Sequence, residues 1–233
     1  MKKLILLIID IIRYYYHQPS ILSHLKKTNV KIAIDIGAHK GETIDYFLKI
    51  PKIKKIYSFE PQEKIFKYLQ KKYKNNNKVI LNKIALSDKY RKRIFYINKL
   101  SLTSTFSKIN TNSLWFIIKK KILNTKNSYE SKISIKTNSL DNFIKIKKIK
   151  KIDLLKIDTE GHELHILKGS KNLIKKNLVK YLLIEINHSN MYSNYSYKKI
   201  NSFLKKNNFT IIKKFKFPFH PFTDVLYKNS SLN

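Results

Sequence analysis

The chain has 233 residues, of which 42% are apolar, which suffices for one globular domain with a buried core. It contains no cysteine, which excludes disulfide scaffolds, thiolate nucleophiles and cysteine-based zinc sites. The formal net charge at pH 7 is +34, but all except three of the 49 basic residues are lysines, scattered along the whole length. Because nucleic-acid readers rely largely on arginine, we interpret the charge as a solvated surface that attracts polyanions non-specifically.

The N-terminal segment, residues 1–28, starts with two lysines and an apolar run at 4–12 that is too short to span a bilayer. We interpret it as a helical segment packed on the domain. Two alternatives remain open: a helix lying on a membrane surface, and a cleaved signal peptide, although no small-residue cleavage site follows. We expect a cytoplasmic protein, with peripheral membrane contact through this segment as the open alternative.

Strands and helices alternate from residue 31 onwards. The pattern predicts strands at 31–36, 55–59, 79–85, 152–158 and 181–186, and helices at 42–50 and 63–73. Such alternation indicates βαβ units and a mostly parallel sheet. A helix at 197–206 and strands at 209–215 and 224–227 follow, and a loop of about eight residues lets these two strands pair antiparallel.

Residues 89–140 interrupt this alternation. Segments 93–97 and 132–136 alternate like exposed antiparallel strands, and Trp115 and Phe116 lie in an apolar stretch between them. We interpret the region as an insertion that covers one end of the sheet. Both aromatic residues are expected to line or cover a pocket there that receives the substrate. Residues 29–233 are therefore predicted to form one domain that carries this insertion.

The first candidate site is the turn after the first predicted strand. Its two glycines have the spacing Gly-x-x-x-Gly, whereas the dinucleotide fingerprint requires Gly-x-Gly-x-x-Gly. The carboxylate of Asp35 precedes them, which would repel a pyrophosphate but suits a ligand with an ammonium or sulfonium group. We assign cofactor binding in this turn to Asp35, Gly37, Ala38, Gly41 and Thr43.

Two further acids are predicted to contact a nucleoside. Glu60 ends the second strand about 20 residues after the glycine turn, where doubly wound sheets place a carboxylate against ribose hydroxyls. Asp88 closes the third strand and is a candidate partner for an adenine amino group. A turn or helix cap is the alternative role for Asp88.

The third candidate site follows the predicted strand at 152–158. Asp158 and Glu160 are two positions apart, so extended backbone would direct both carboxylates the same way. Two adjacent carboxylates are costly unless a cation, a metal ion or a shared proton relieves their repulsion. This cost favours a functional role over a solvated turn.

The chain resembles the FkbM family of S-adenosylmethionine-dependent methyltransferases. The resemblance rests on segments spread over roughly residues 30–228, namely DIGAHKGET at 35–43, FEP at 59–61, ALSD at 85–88, SLDNF at 139–143, IDLLKIDTEGHELHILKG at 152–169 and IEI at 184–186. It implies S-adenosylmethionine as cofactor and an α/β fold with a Rossmann-like, doubly wound, seven-stranded sheet whose last strand is antiparallel. The insertion at 89–140 departs from the family, which leaves the acceptor undefined.

An acceptor hydroxyl would need a group that takes its proton, and the candidates are Asp158, Glu160 and His188. A divalent metal ion at Asp158 and Glu160 stays an alternative, and we assign no metal ligand. The leading hypothesis is O-methylation of a sugar hydroxyl in a glycan, or of a small-molecule hydroxyl. The alternatives are a nucleic-acid methyltransferase and a non-catalytic Rossmann-like nucleotide binder. The oligomeric state is left open.

Overall fold

The computed structural model describes residues 7–9, 11–98, 104–123, 129, 131–218 and 220–232. Ten strands lie within these ranges: β1 Ile32–Ile36, β2 Lys55–Phe59, β3 Val79–Asn82, β4 Ala85–Leu86, β5 Arg91–Ile97, β6 Ser131–Asn138, β7 Ile152–Ile157, β8 Val179–Asn187, β9 Phe209–Lys216 and β10 Phe222–Asn229. The α-helices are α1 Gln18–Leu25, α2 Glu42–Phe47, α3 Glu63–Lys72, α4 Leu114–Leu123, α5 Leu140–Lys147, α6 Glu163–Lys168, α7 Lys171–Lys175 and α8 Tyr197–Lys205. A π-helical turn, Arg13–His17, leads into α1.

Seven of the strands form one sheet in the order β3-β2-β1-β7-β8-β10-β9. The first five of these pair in parallel, and β10 is inserted antiparallel between β8 and β9. The predicted Rossmann-like doubly wound fold, with its antiparallel C-terminal strand, is confirmed.

The sheet is buried on both faces, as a parallel sheet with crossover helices requires. Alternation along β1 shows this directly, because Ile34 and Ile36 pack into one apolar cluster and Ala33 into the other. The first cluster also takes in α5, α6, α7 and α8, and the second takes in α1, α2 and α3.

The predicted third strand, 79–85, was wrong in its second half. Strand β3 of the main sheet ends at Asn82. The side-chain amide of Asn82 donates to the carbonyls of Ser58 (3.3 Å) and Ile80 (3.1 Å). The chain then leaves the sheet, and β4 pairs with β6 in a separate three-stranded sheet of order β4-β6-β5. This small sheet is the framework of the predicted insertion.

The insertion and the N-terminal segment both lie over the carboxyl ends of the strands. Asn110 of the insertion donates its N–H to the Met191 carbonyl at 2.8 Å, and Thr105 Oγ1 donates to the Glu160 carbonyl at 2.6 Å. On the other side, α1 contributes Ile21 and Leu25 to the second apolar cluster. Among the described residues, no helix is long and apolar enough to cross a membrane.

Candidate active site

A cavity of about 740 Å³ opens at the carboxyl ends of β1, β2, β7 and β8. Open α/β sheets bind ligands at this edge, where loops from adjacent strands diverge. The N-terminal segment and the insertion supply the remaining walls. Of the predicted site residues, the cavity is lined by Gly37, Ala38, Thr43, Glu60, Asp158 and Glu160.

The turn after β1 is shaped by close contact with its neighbours. The N–H groups of Gly37 and Ala38 both donate to the carbonyl of Phe59, at 3.2 and 3.1 Å, which ties the turn to the end of β2. Gly37 has φ +94°, and a Cβ on it would lie 1.9 Å from the carbonyl oxygen of Asp158. Only glycine therefore lets the ends of β1 and β7 approach this closely.

Asp35 lies fully buried in β1, just behind the lining residues Ile36 and Gly37. Neither of its carboxylate oxygens has a hydrogen-bond partner among the described residues. Burial raises the pKa of this carboxyl to about 7, although the nearby Lys156 acts in the opposite direction. Asp35 can therefore change its charge near neutral pH when a donor or a cation approaches.

Glu60 ends β2 inside the cavity wall and is held by the glycine turn. Its Oε2 accepts from the N–H of His39 at 3.1 Å, and its Oε1 accepts from the N–H of Gln62 at 2.9 Å. Burial raises the pKa of Glu60 despite these hydrogen bonds. A carboxylate can accept further bonds beyond these two, so Glu60 can still receive donors from a ligand.

Asp158 is paired with a lysine that the sequence analysis did not single out. The Nζ of Lys156 donates to Asp158 Oδ2 at 2.7 Å, and the lysine side chain is almost entirely buried. Burial opposes the charge of Lys156, but Asp158, Tyr46 and Asp224 hold its pKa well above the usual value. Lys156 thus offsets the negative charge of Asp158, to which it is bonded, and of the nearby Asp35 and Asp224.

The backbone between Asp158 and Glu160 is not extended, which corrects the geometric argument made from their spacing. Strand β7 ends at Ile157, and Glu160 has the left-handed φ of +54°. The turn is held by Glu163, whose Oε1 accepts from the N–H groups of Thr159 and Gly161, both at 3.1 Å. Asp158 and Glu160 both line the cavity, but it is this turn, and not an extended backbone, that brings them there.

Glu160 has a hydrogen-bond donor of its own. The hydroxyl of Tyr192 donates to Glu160 Oε2, and burial together with this carboxylate raises the pKa of the phenol well above its usual value. The ring of Tyr192 also packs against Gly161, where an added Cβ would lie 2.6 Å from the ring. Tyr192 thereby fixes both the direction of the Glu160 carboxylate and the turn that carries it.

Two more acids, Glu185 and Asp224, face each other across β8 and β10. Both line the cavity. Burial, followed by the charges of Asp158, Glu160 and Asp224, raises the pKa of Glu185 well above its usual value. The raised pKa favours the protonated form of Glu185, which can donate a hydrogen bond.

Aromatic side chains form another part of the cavity wall. Trp115 of α4 stacks on His220, with ring centroids 5.6 Å apart and an angle of 25° between the planes. Phe222 lies 4.3 Å from His220 by the same measure. Phe116 packs beneath, in a cluster with Met191 and Tyr192, and does not line the cavity.

Besides Asp35, three predicted site residues lie outside the cavity lining. The carboxylate of Asp88 accepts from Arg91 at 2.8 and 3.0 Å and from Ser87 Oγ at 2.9 Å. Gly41 has no side chain, and the ring of Tyr73 occupies the space that one would need. The hydroxyl of Tyr73 donates to the Gly41 carbonyl at 2.9 Å. The roles assigned to Asp88 and Gly41 stay predictions.

The third predicted residue outside the lining is His188, whose side chain lies on the other side of the end of β8. It is exposed, and its Nε2 lies 3.3 Å from Thr223 Oγ1. Residues at alternate positions of β8, Glu185 and Asn187, line the cavity instead. Period-two alternation from Glu185 would have indicated Asn187 in place of His188.

Among the described residues, no group of three or more His, Asp or Glu side chains is placed to hold a metal ion. His162 and His165 stack face to face with centroids 4.4 Å apart, and His162 Nε2 lies 2.9 Å from Ser87 Oγ. The arrangement gives this pair a packing role beside β4.

Comparison with known proteins agrees with the topology and the glycine turn. Residues 35–211 match the family described as the methyltransferase FkbM domain. The chain belongs to this family. One curated relative, the hexuronic acid methyltransferase AglP of Haloferax volcanii, is 37% identical over 59 residues. That alignment covers 25% of this chain and 24% of AglP.

Solved structures of low sequence identity share the fold. The magnesium protoporphyrin IX methyltransferase ChlM of Synechocystis, with bound S-adenosylmethionine, is 11% identical with a TM-score of 0.50, covering 91% of this chain and 78% of ChlM. Fibrillarin of Aeropyrum pernix, also with bound S-adenosylmethionine, is 11% identical with a TM-score of 0.50, covering 87% of this chain and 67% of fibrillarin. These likenesses concern the fold.

Proposed function

We propose that this chain transfers a methyl group from S-adenosylmethionine to a sugar hydroxyl. Membership of the FkbM methyltransferase family supports the methyl transfer. The observation that carries the cofactor assignment is the buried Asp35, whose two oxygens have no partner among the described residues, behind a turn where only glycine fits. A buried polar group without a partner is costly, and a ligand that donates hydrogen bonds or carries positive charge would offset that cost.

The residues around the glycine turn fit the parts of this cofactor. Glu60 is at the position that accepts hydrogen bonds from ribose hydroxyls. Ile84, Ala85 and Leu86 supply an apolar wall suited to the face of a purine ring. Asp35 and Asp158 supply negative charge. When bound, the cofactor would provide an electrophilic methyl group on a positively charged sulfur.

The protein's own part in the reaction is to hold the acceptor and take its proton. Glu160 is the proposed base, and the hydroxyl of Tyr192, which donates to Oε2, orients its carboxylate. Glu185, whose raised pKa favours its protonated form, would donate a hydrogen bond to a neighbouring hydroxyl. Positioning of this kind supplies much of the rate in a methyl transfer.

Two observations favour a sugar as acceptor. The matched segment of AglP belongs to a protein that is named for a hexuronic acid. The cavity also combines the flat faces of Trp115 and His220 with polar groups at Glu185 and Asn187. A pyranose ring has apolar C–H faces and a rim of hydroxyls, which such a site would accommodate.

Titration calorimetry with S-adenosylmethionine and S-adenosylhomocysteine tests the cofactor, with Glu60→Gln as the weakened variant. Asp153→Asn is the matched control, because that buried carboxylate accepts the N–H groups of Lys31 and Ile32 at the opposite end of the sheet. Equal affinity in all three proteins would contradict the assignment. Transfer of a labelled methyl group is then compared for hexuronic acid glycans and RNA, and preferential labelling of RNA would favour the nucleic-acid alternative.

A further inference from the structure

The N-terminal segment has two faces that follow helical spacing. Residues four apart along it, Ile9, Arg13, His17 and Ile21, line the cavity. Five other residues of the segment are exposed and are here called the outer face: Leu7, Ile11, Tyr14 and Tyr15, which are three or four positions apart, and their neighbour Tyr16. One face therefore belongs to the site, and the other remains available.

The outer face is far more exposed than apolar side chains usually are when they occur together. Its five residues are between 46% and 74% exposed. Single exposed apolar residues are common on soluble proteins, but five within ten positions of one helical stretch mark an interaction surface. Tyrosine adds a specific preference, since its apolar ring and polar hydroxyl suit the boundary between lipid and water.

Basic residues flank the outer face in the sequence, and Lys49 lies against it in the structure. Residues 1–31 contain six lysines and arginines and a single acid, Asp10, which lies outside the described residues. Lys49 Nζ lies 5.8 Å from the ring centroid of Tyr14. At the end of α1, Lys213 and Lys27 lie close enough to His24 to lower its pKa together with burial.

We propose that the outer face docks on the surface of an anionic lipid bilayer. The helix would lie in the plane of the membrane, with Leu7, Ile11 and the tyrosines among the headgroups and the flanking lysines on lipid phosphates. An anionic bilayer would bury the apolar side chains and attract the basic ones. A neutral partner or a purely apolar partner would not use both interactions. This inference concerns the location of the protein and does not depend on the methyl-transfer reaction.

The docking also defines where the cavity opens. Ile8 is half-exposed and lines the cavity, so the rim of the site is continuous with the outer face. A bilayer beneath the helix would lie directly beside that rim. An acceptor attached to a lipid would then enter without leaving the membrane surface.

Flotation of the full chain with vesicles tests the proposal. Vesicles of phosphatidylcholine mixed with phosphatidylglycerol are compared with vesicles of phosphatidylcholine alone. The test variant replaces Leu7, Ile11 and Tyr15 with serine. The control variant replaces Tyr90, Ile146 and Ile212 with serine, because these exposed apolar residues lie elsewhere on the surface.

We expect binding to the anionic vesicles, with affinity at least about tenfold weaker for the test variant, since burial of a single large apolar side chain is worth roughly that factor. The control variant should bind like the parent. Equal binding by the test variant would mean that general positive charge alone attracts the vesicles, and the proposal would be overturned. It would also be overturned if the parent self-associates through this face, which sedimentation of the parent and test variant without vesicles would reveal.

Hydrogen exchange gives a readout that general electrostatic attraction does not produce. We expect anionic vesicles to slow exchange in residues 7–16 of the parent. Slowing elsewhere but not in this segment would contradict the proposed orientation. Circular dichroism of both variants establishes that they are folded.

Discussion

The imidazole of His17 and the carboxylate of Asp224 lie 2.7 Å apart, although 207 positions separate them in the chain. Both side chains are buried, and the rings of Phe217 and Phe222 lie 5.1 and 6.4 Å from that of His17. The pair attaches the N-terminal segment to β10. It makes that segment a wall of the cavity.

Loss of His17 should destabilise the protein, because it leaves the buried Asp224 without this partner. We expect His17→Ala to lower the free energy of unfolding by about 2–4 kcal/mol. Urea titration gives the value, and a double-mutant cycle with Asp224→Asn isolates the pair. The matched control is His24→Ala on α1, expected to cost less than about 1 kcal/mol because its ring is only partly covered. A negligible coupling energy would show that the contact contributes nothing.

Stability of the ligand-free protein should fall as the pH rises from about 4 to about 7. Asp35 has its pKa raised from 3.8 to about 7, so in this window the folded protein binds a proton that the unfolded chain does not. The contribution is at most about 4 kcal/mol. Asp35→Asn should reduce this pH dependence in thermal unfolding, and Asp141→Asn should not. An unchanged slope in Asp35→Asn would assign the effect to other acids.

Glu160→Gln should bind S-adenosylmethionine like the parent but turn over an identified acceptor roughly 10²–10⁴-fold more slowly, as is typical when a general base is removed. Tyr192→Phe retains the base and removes only its positioning hydroxyl. We expect a smaller loss of kcat, about tenfold, together with a changed pH profile, because the carboxylate loses its hydrogen bond. Parental turnover in Glu160→Gln would exclude this residue as the base.

Gly37→Ala should disrupt the site. The added Cβ would meet the Asp158 carbonyl at 1.9 Å in a left-handed backbone conformation, so β1 and β7 must separate. Strain of this kind costs about 1–3 kcal/mol in backbone conformation alone. Thermal unfolding and cofactor calorimetry measure the two consequences. Unchanged stability and affinity would mean that the turn is not as closely packed as the structure indicates.

Binding to RNA or DNA should be weak, insensitive to sequence, and lost near physiological salt. The net charge of +34 consists almost entirely of dispersed lysine, so only counterion release would drive it. Fluorescence anisotropy across a salt series checks this. Tight, sequence-selective binding at physiological salt would contradict it.

The sequence predicted the parts of this protein that depend on local pattern. Strand β2, Lys55–Phe59, has the predicted bounds, because Pro61 stops the strand pattern just beyond it. It missed what depends on tertiary contact. The position of Glu160 depends on Tyr192, 32 positions away in the chain, and this contact is not visible as a local spacing.

Lys156 was missed for a different reason. In a chain so rich in lysine, one more lysine attracts no attention, although its place within a buried apolar strand was a usable signal. His17 and Asp224 carried no signal at all, because their pairing is a product of the full topology.

The insertion of β10 between β8 and β9 has a consequence for how the protein is made. During synthesis, β9 emerges without a neighbour in the sheet, and β8 keeps an open edge until β10 follows it from the ribosome. Until then the pocket lacks Phe222 and Asp224, and His17 lacks the carboxylate with which it pairs. The pocket is therefore completed late in translation, when β10 supplies its last wall, although α1 can already pack into the second apolar cluster through Ile21 and Leu25.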